Sequence, residues 1–336
     1  MRKIRIAQIG TSTNSHGNDI FNTIRSLTDI FEVVGYALPE NEKEKFPERM
    51  ADFEGYREMT VEEILNDSSI EAVTVETEEI YLTKYATMAA KAGKHIHMEK
   101  PGGLDLAAFE ELIKTAKENG KTFHIGYMYR YNLYIKEIFE KIKSGELGDI
   151  ISVEAQMNCI HPVKVREWLK TFPGGMMFFL GCHLIDLILQ IKGQPERIIP
   201  LNKKTGVDGI DAEDFGMAVF EYENGVSFIK MVASEIGGYA RRQFVVTGSK
   251  KTIEIKPFEM FVPDGQYMMF SEKTEYESTV WSDRGVTVRS DIFNRYNSML
   301  TAFAEMVAGE RENPYTLDYE LELYKTLLIC CGVDVK

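Results

Sequence analysis

Glu99-Lys100-Pro101 follows an alanine-rich helical stretch that stops at Gly93 and a short run, His95 to Met98, that reads as a strand. Glycine is the expected stop, because helix ends commonly need a left-handed residue. A lysine at the carboxyl end of a strand in an open α/β sheet points into the crevice where such sheets bind ligands. Pro101 fixes its own backbone and drives Lys100 toward an extended conformation, so the amine is aimed. The tripeptide alone is also compatible with a surface lysine before a turn, so the neighbouring motifs carry the decision.

A second cluster is Pro173-Gly174-Gly175-Met176-Met177-Phe178-Phe179-Leu180-Gly181-Cys182-His183-Leu184-Ile185-Asp186. Glycines bring backbones close, and the almost wholly apolar helix that follows must be buried. A histidine at the start of such a helix is either a satisfied core group or a site residue. Asp186 lies three residues on, on the same helix face, where it can orient the imidazole. Cys182 and His183, with Cys159 and His161 upstream, can also be imagined as a zinc set, but the ligand spacing is irregular.

The third cluster follows the first strand: Gly10-Thr11-Ser12-Thr13-Asn14-Ser15-His16-Gly17. A dinucleotide fingerprint has glycines at the first, third and sixth positions so that pyrophosphate approaches the backbone at a helix N-terminus. Here only Gly10 is in place, with Ser12 and Ser15 at the other two, although the strand–loop–helix context is right and hydroxyls can donate to phosphate. The alternative is an ordinary polar loop. The second strand ends near Leu38, with Glu40 two residues on. A carboxylate there binds adenine-ribose hydroxyls and favours NAD over NADP, and no arginine or lysine sits at the strand end to receive a 2′-phosphate.

Positioning these residues requires strands and helices in alternation. Ile4–Ile9, Phe31–Leu38, Ala72–Glu76, His95–Met98 and Thr122–Tyr127 read as strands, with helices over 19–28, 60–66, 82–92 and 106–119. Thr60 and Glu63 form a capping-box pattern. The alternation implies a doubly wound parallel sheet with right-handed crossovers, a Rossmann-type domain over 1–122. From 123 to 336 the rhythm changes to an α+β domain with a large, mostly antiparallel open sheet. Its strands are expected at 151–160, 197–201, 215–222, 226–233, 243–248 and 252–255. Asn224-Gly225 marks a hairpin. Helices are expected at 139–144, 182–191, 296–308 and 317–332.

The 336 residues allow two domains with real cores. At 44% hydrophobic and 27% charged the composition is globular, and a net charge of −13 argues against nucleic acid as a partner. The N-terminal apolar run is too short for a signal peptide, and no run is long enough to span a bilayer. The four cysteines, at 159, 182, 330 and 331, make no disulfide framework, so a reducing cytoplasm is the expected location.

In this order and at these distances, the three clusters resemble the glucose–fructose oxidoreductase, inositol dehydrogenase and rhizopine-catabolism (Gfo/Idh/MocA) family, over essentially the whole chain. The most specific parts are Ala92-Gly93-Lys94-His95 running into Glu99-Lys100-Pro101, and Gly181-Cys182-His183-Leu184-Ile185-Asp186. Gly126-Tyr127-Met128-Tyr129-Arg130-Tyr131-Asn132, Ser144-Gly145-Glu146-Leu147-Gly148 and Glu213-Asp214-Phe215 support them. The resemblance implies a nicotinamide cofactor and a sugar, polyol or glycoside held between the domains. It implies catalysis by Lys100 and His183, the imidazole serving as base for a hydroxyl proton, with Asp186 beside it. Arg130 and Asn132 fall where the family's substrate-side groups lie. Gly10, Thr11, Ser12, Thr13, Asn14, His16, Glu40, Thr77, Glu99 and Lys100 form the expected cofactor set. No metal is expected, and the open sheet implies a homo-oligomer, dimer or tetramer.

Two departures stand out. The family's aspartate four residues before the histidine is Phe179, and its Thr-Pro-Asn cofactor loop is Thr77-Glu78-Glu79, with Leu82 at the following histidine position. Proton transfer then rests on His183 alone, or Asp186 and water share it, or turnover is lost. Three functions follow: an NAD-dependent dehydrogenase acting on a secondary hydroxyl, a relative that oxidises a sugar transiently with recycled cofactor, or a cofactor-binding protein without catalysis.

Overall fold

Short apolar runs separated by capped helices organise the first part of the chain. The computed structural model describes residues 2–263 and 268–335. Within it the strands are β1 (Ile4–Ile9), β2 (Phe31–Ala37), β3 (Ala72–Val75), β4 (His95–Met98) and β5 (Phe123–Ile125). They form one parallel sheet in the order β2-β1-β3-β4-β5. Every residue of β3 is buried, as a strand covered on both faces requires.

The helices are α1 (Gly17–Ser26), α2 (Glu42–Lys45), α3 (Val61–Asn66), α4 (Leu82–Lys91) and α5 (Leu106–Asn119). Thr60 caps α3 through the full reciprocal box with Glu63, and Asp105 caps α5 by accepting from the Ala108 N–H. A turn of 3-10 helix over Glu79–Tyr81 precedes α4. The parallel doubly wound sheet expected from the alternation is therefore present, with strand ends within two residues of expectation.

The second sheet has eight strands in the order β15-β14-β11-β10-β6-β9-β8-β7. Its members are β6 (Ile150–Gln156), β7 (Arg197–Pro200), β8 (Phe215–Tyr222), β9 (Gly225–Val232), β10 (Gln243–Gly248), β11 (Thr252–Ile255), β14 (Glu272–Tyr276) and β15 (Val286–Arg289). All pairs are antiparallel except β6 with β9. Short β12 (Met260–Phe261), β13 (Met268–Phe270) and β16 (Phe293–Asn294) form a small third sheet. Residues alternate between buried and half-buried along β8 and β9, giving one core face, and Tyr222 pairs with Gly225 across the expected hairpin.

Helices of this part are α6 (Leu133–Lys143), α7 (Val163–Trp168) and α8 (Cys182–Lys192), followed by α9 (Asn297–Val307) and α10 (Leu317–Cys330). α6 starts well before the expected residue 139 because Asn132 caps it, its Oδ1 accepting from the Tyr134 and Ile135 amides. β14 escapes the periodicity reading because its sequence, Glu-Lys-Thr-Glu-Tyr, carries Lys273 on its buried position, and β15, Val-Thr-Val-Arg, is an exposed edge strand. The charges of β14 pair: Lys273 with Glu137 and Glu275, and Glu275 with Lys141 and Lys251.

Two compact units result. One comprises residues 1–128 and 296–324, the other 129–295 and 325–336, the division falling within α10. In the first, Phe303 of α9 packs on His97 and His124, and Tyr324 stacks on Phe109. In the second, α8 has eight of its eleven residues buried against the sheet. Among the described residues no helix is long and apolar enough to cross a membrane.

Candidate active site

In the first unit β4 ends at Met98 and delivers Glu99 and Lys100 at its carboxyl edge. Lys100 is among the largest fully buried side chains, 1% exposed, and its Nζ lies 3.7 Å from Glu99 Oε1. The Lys100–Pro101 peptide is cis. A buried ammonium needs a counter-charge, and the adjacent carboxylate supplies one. Glu79 adds a second carboxyl within reach of the lysine's charge. Burial pushes Glu79 up to about 7 while Lys100 pulls it down.

The loop between β1 and α1 carries the expected phosphate-binding residues. Gly10 has φ +89°, and a Cβ there would stand 2.3 Å from Thr77 Cγ2, so only glycine lets the loop after β3 press against it. Gly10 and Thr77, both in the expected cofactor set, are thereby brought together. Thr11 Oγ1 donates to Asn18, Ser12 Oγ accepts from the Ser15 amide, and Thr13 Oγ1 donates to Glu48. His16 Nδ1 lies 2.8 Å from Tyr296 Oη, which also donates to Asp19. The backbone N–H groups of Ser12, Thr13 and Asn14 have no acceptor among the described residues, and they lie in the loop just before the ten-residue α1. Free donors beside a glycine-limited turn fit a pyrophosphate.

Two acidic residues shape the rest of this unit's site. Glu40 accepts from Lys84 and from Tyr85 Oη at 2.7 Å, and both bonds hold it below the usual carboxylate range. The sequence places no lysine at the end of β2. Lys84 nevertheless arrives there from α4, 44 residues away, so the reading that no cation stands near Glu40 is corrected. Behind Glu40 a cavity of about 440 Å³ is lined by Ala37, Leu38, Pro39, Met59, Tyr85 and Met88 among others. Glu42, the first residue of α2, is fully buried. Its Oε2 accepts from the Thr11 amide at 3.2 Å, and burial pushes it up to about 9.

In the second unit His183 stands on the first turn of α8, 2% exposed, after a π-helical turn over Met177–Gly181. Its ring meets Tyr129 edge-on, centroids 5.0 Å apart. Asp186 accepts from Arg130 through Nε at 2.9 Å and a terminal nitrogen at 2.8 Å, and from Gln190 at 2.9 Å. Arg130 and Asp186 thus form a bidentate buried pair one turn along α8 from the histidine. Asn132 is committed to capping α6 and donates to Ser271 Oγ. Phe179 lies among aromatic rings, 5.1 Å from Trp168 and 6.0 Å from His161 between centroids.

Tyr129 leads to a group that no spacing in the sequence revealed. Its hydroxyl donates to Glu259, which also accepts from Arg242 at 2.9 Å and from Arg295 Nε at 2.9 Å. The two arginines hold Glu259 below the usual range despite burial. These residues come from four separate segments, so only the folded sheet assembles them. Among the described residues, Cys159, His161, Cys182 and His183 do not bring three ligand atoms together. The one trio among them that does, Glu146, Glu275 and Glu277, already holds the Lys251 ammonium, which pairs with all three.

Comparison with known proteins shows the family and the fold. Residues 4–127 match the model described as an oxidoreductase family, NAD-binding Rossmann fold, and residues 135–254 match the GFO/IDH/MocA C-terminal domain. An uncharacterized oxidoreductase of Rhizobium meliloti, ORF334, is 25% identical over 79% of this chain and 78% of its own length. The scyllo-inositol 2-dehydrogenase (NADP(+)) IolW of Bacillus subtilis is 30% identical over 59% of this chain and 55% of its own. The crystal structure of an oxidoreductase from Thermotoga maritima shares the fold, with a TM-score of 0.76 at 20% identity, covering 98% of this chain and 96% of that one.

Proposed function

The chain belongs to the GFO/IDH/MocA family of oxidoreductases with an NAD-binding Rossmann fold, and from that premise we propose that it oxidises a secondary hydroxyl of a sugar, polyol or glycoside with NAD. The observation that carries the reading is Lys100, a buried lysine at the carboxyl end of a parallel strand, paired with Glu99. Supporting the substrate class, one relative is named for scyllo-inositol and another for 1,5-anhydro-D-fructose.

A bound nicotinamide supplies the hydride acceptor. The amides of Ser12, Thr13 and Asn14 hold the pyrophosphate, with Gly10, Thr11, His16 and Thr77 shaping the loop around it. Glu40, held by Lys84 and Tyr85, accepts from the adenine-ribose hydroxyls. Lys100 Nζ donates to the substrate oxygen and stabilises the alkoxide as it forms. His183 takes the hydroxyl proton on its imidazole. The Arg130–Asp186 pair holds the turn of α8 that carries His183, and Arg130 and Asn132 shape the substrate side.

The test is a panel of hexoses, inositols, sugar acids and glycosides offered with NAD⁺ and with NADP⁺, followed by nicotinamide absorbance. The expected result is reduction with at least one polyol or sugar, faster with NAD⁺, and a narrowed preference in Glu40→Ala. Absence of dinucleotide binding at sub-millimolar concentration overturns the reading.

A further inference from the structure

Just past β2 in the first unit, Glu40 stands on a left-handed backbone with φ +60°, and Asn41 follows at φ +57°. Residues other than glycine rarely adopt that conformation, and two in succession fix how Glu40 is presented to α4. Lys84 Nζ and Tyr85 Oη both donate to one oxygen, Oε1, the tyrosine at 2.7 Å. The other oxygen, Oε2, has no hydrogen bond among the described residues. Tyr85 is buried, whereas the Lys84 side chain is 55% exposed. The clamp on Glu40 therefore has one fixed member and one that solvent can release.

Lys84 also lines the cavity of about 440 Å³, with Leu38, Met59 and Met88, and among its described lining residues it is the one cation. Glu58 and Glu62 line the cavity as well. The neighbouring lysines have carboxylates of their own: Lys43 pairs with Glu58 at 2.6 Å and Lys45 with Glu78 at 2.9 Å. Lys84 is thus the cation whose partner is itself the ribose-side acceptor. An exposed lysine–carboxylate pair contributes little, because water screens it and the long side chain loses freedom. A phosphate monoester brings a charge of roughly −1.5 to −2 and several strong acceptor oxygens. An ammonium carries three donors, and Glu40 takes one of them. When the two acceptors compete for Lys84, the phosphate wins.

We propose that Lys84 determines which dinucleotide this site accepts: it exchanges Glu40 for a 2′-phosphate, so that the protein takes NADP as well as NAD. This rests on the dinucleotide-binding part of the proposed function and does not require hydride transfer. With NAD, Glu40 offers Oε2 to the ribose hydroxyls and Lys84 stays on Oε1. With NADP, Lys84 moves to the phosphate while Tyr85 keeps the carboxylate in place. Parting the pair is a cost that NAD does not meet, so NAD remains the better ligand. The sequence rule looks for a basic residue at the end of the second strand. Here that residue arrives from α4.

Calorimetric titration of the full chain with NAD⁺, NADP⁺, 5′-AMP and adenosine 2′,5′-bisphosphate tests this without turnover, because the last two differ only in the 2′-phosphate. The wild type is expected to bind all four. Lys84→Ala is expected to lower the NADP⁺-to-NAD⁺ affinity ratio, and the bisphosphate-to-AMP ratio with it, by roughly 10- to 100-fold, the scale of one charge-assisted hydrogen bond. Lys84→Arg keeps the charge and is expected to retain most of both ratios. Glu40→Gln loosens the hold on the lysine and is expected to raise them. Ratios unchanged in Lys84→Ala, or lowered in Glu40→Gln, overturn the proposal. So does a wild type that binds NAD⁺ but not NADP⁺. A protein that binds neither dinucleotide refutes the dehydrogenase reading together with this one. Ratios that follow Lys84 in a protein that never reduces a dinucleotide uphold the proposal and refute the dehydrogenase reading alone.

Discussion

Lys100 and His183 are single side chains whose value depends on what surrounds them. Removing the amine in Lys100→Ala leaves Glu99 as a buried, uncompensated carboxylate and the developing alkoxide without a donor. We expect a loss in kcat of about 100-fold or more by steady-state kinetics, the scale of one oxyanion donor. Lys100→Arg is expected not to restore it, since a planar guanidinium does not fit a site shaped for a compact ammonium. Arg130 and Asp186 form a bidentate pair with neither side chain more than 2% exposed. Arg130→Ala strands a buried carboxylate and should cost about 3–5 kcal/mol in denaturant unfolding. An effect under about 1 kcal/mol would show that the pair is solvated.

Glu42 gives a pH signature with a definite sign. Its folded-state carboxyl is raised from 4.5 to about 9, so between those values the folded protein binds more protons than the unfolded chain. Stability is therefore greatest below the unfolded value and falls as pH rises, by up to about 1.4 kcal/mol per unit within that window. Glu42→Gln keeps an acceptor for the Thr11 amide and removes the titration. Thermal melts of this variant are expected to lose much of the wild-type decline on the alkaline side, and an unchanged decline contradicts the assignment.

Elements decide how much of the site the sequence exposes. The capping box at Thr60, the apolar strand before Glu99 and the glycine stop at Gly93 are local, and each appears where its residues place it. Lys84 reaching Glu40 and Tyr129 joining Glu259, Arg242 and Arg295 are contacts between distant segments, and no spacing encodes them. Glu42 escapes a sequence reading for another reason: nothing in the alternating charges Glu42 to Lys45 distinguishes it, although α2 turns only Glu42 inward. β14 was hidden because a paired lysine, Lys273, stands at its buried position, and β15 because it is a short exposed edge strand. At this scale Gly10→Ala is expected to abolish dinucleotide binding in fluorescence titration, because the added methyl would lie 2.3 Å from Thr77 Cγ2 at a φ that favours glycine. Thr60→Ala is expected to cost about 1 kcal/mol of stability and leave binding intact.

At the scale of the whole molecule, the large sheet covers one face with helix α8 and leaves the other half-buried. Met217 and Val219 alternate with buried Ala218 and Phe220 there, and Ile151 and Val226 are exposed. Apolar residues on an open sheet of this size favour a second copy, and we expect a dimer or tetramer by light scattering across the micromolar range. A monomer throughout contradicts this. The family gives the reaction class, that of an oxidoreductase with an NAD-binding Rossmann fold.

Hydride transfer itself is measured most directly with a substrate deuterated at the carbinol carbon, mixed with NAD⁺ and protein, and the nicotinamide analysed by mass spectrometry. Deuterium on the nicotinamide records the transfer even if the cofactor is recycled within one turnover. The account predicts label with the wild type for at least one sugar or polyol and none above background with Lys100→Ala or His183→Ala. Bound dinucleotide that stays unlabelled across the panel would contradict it.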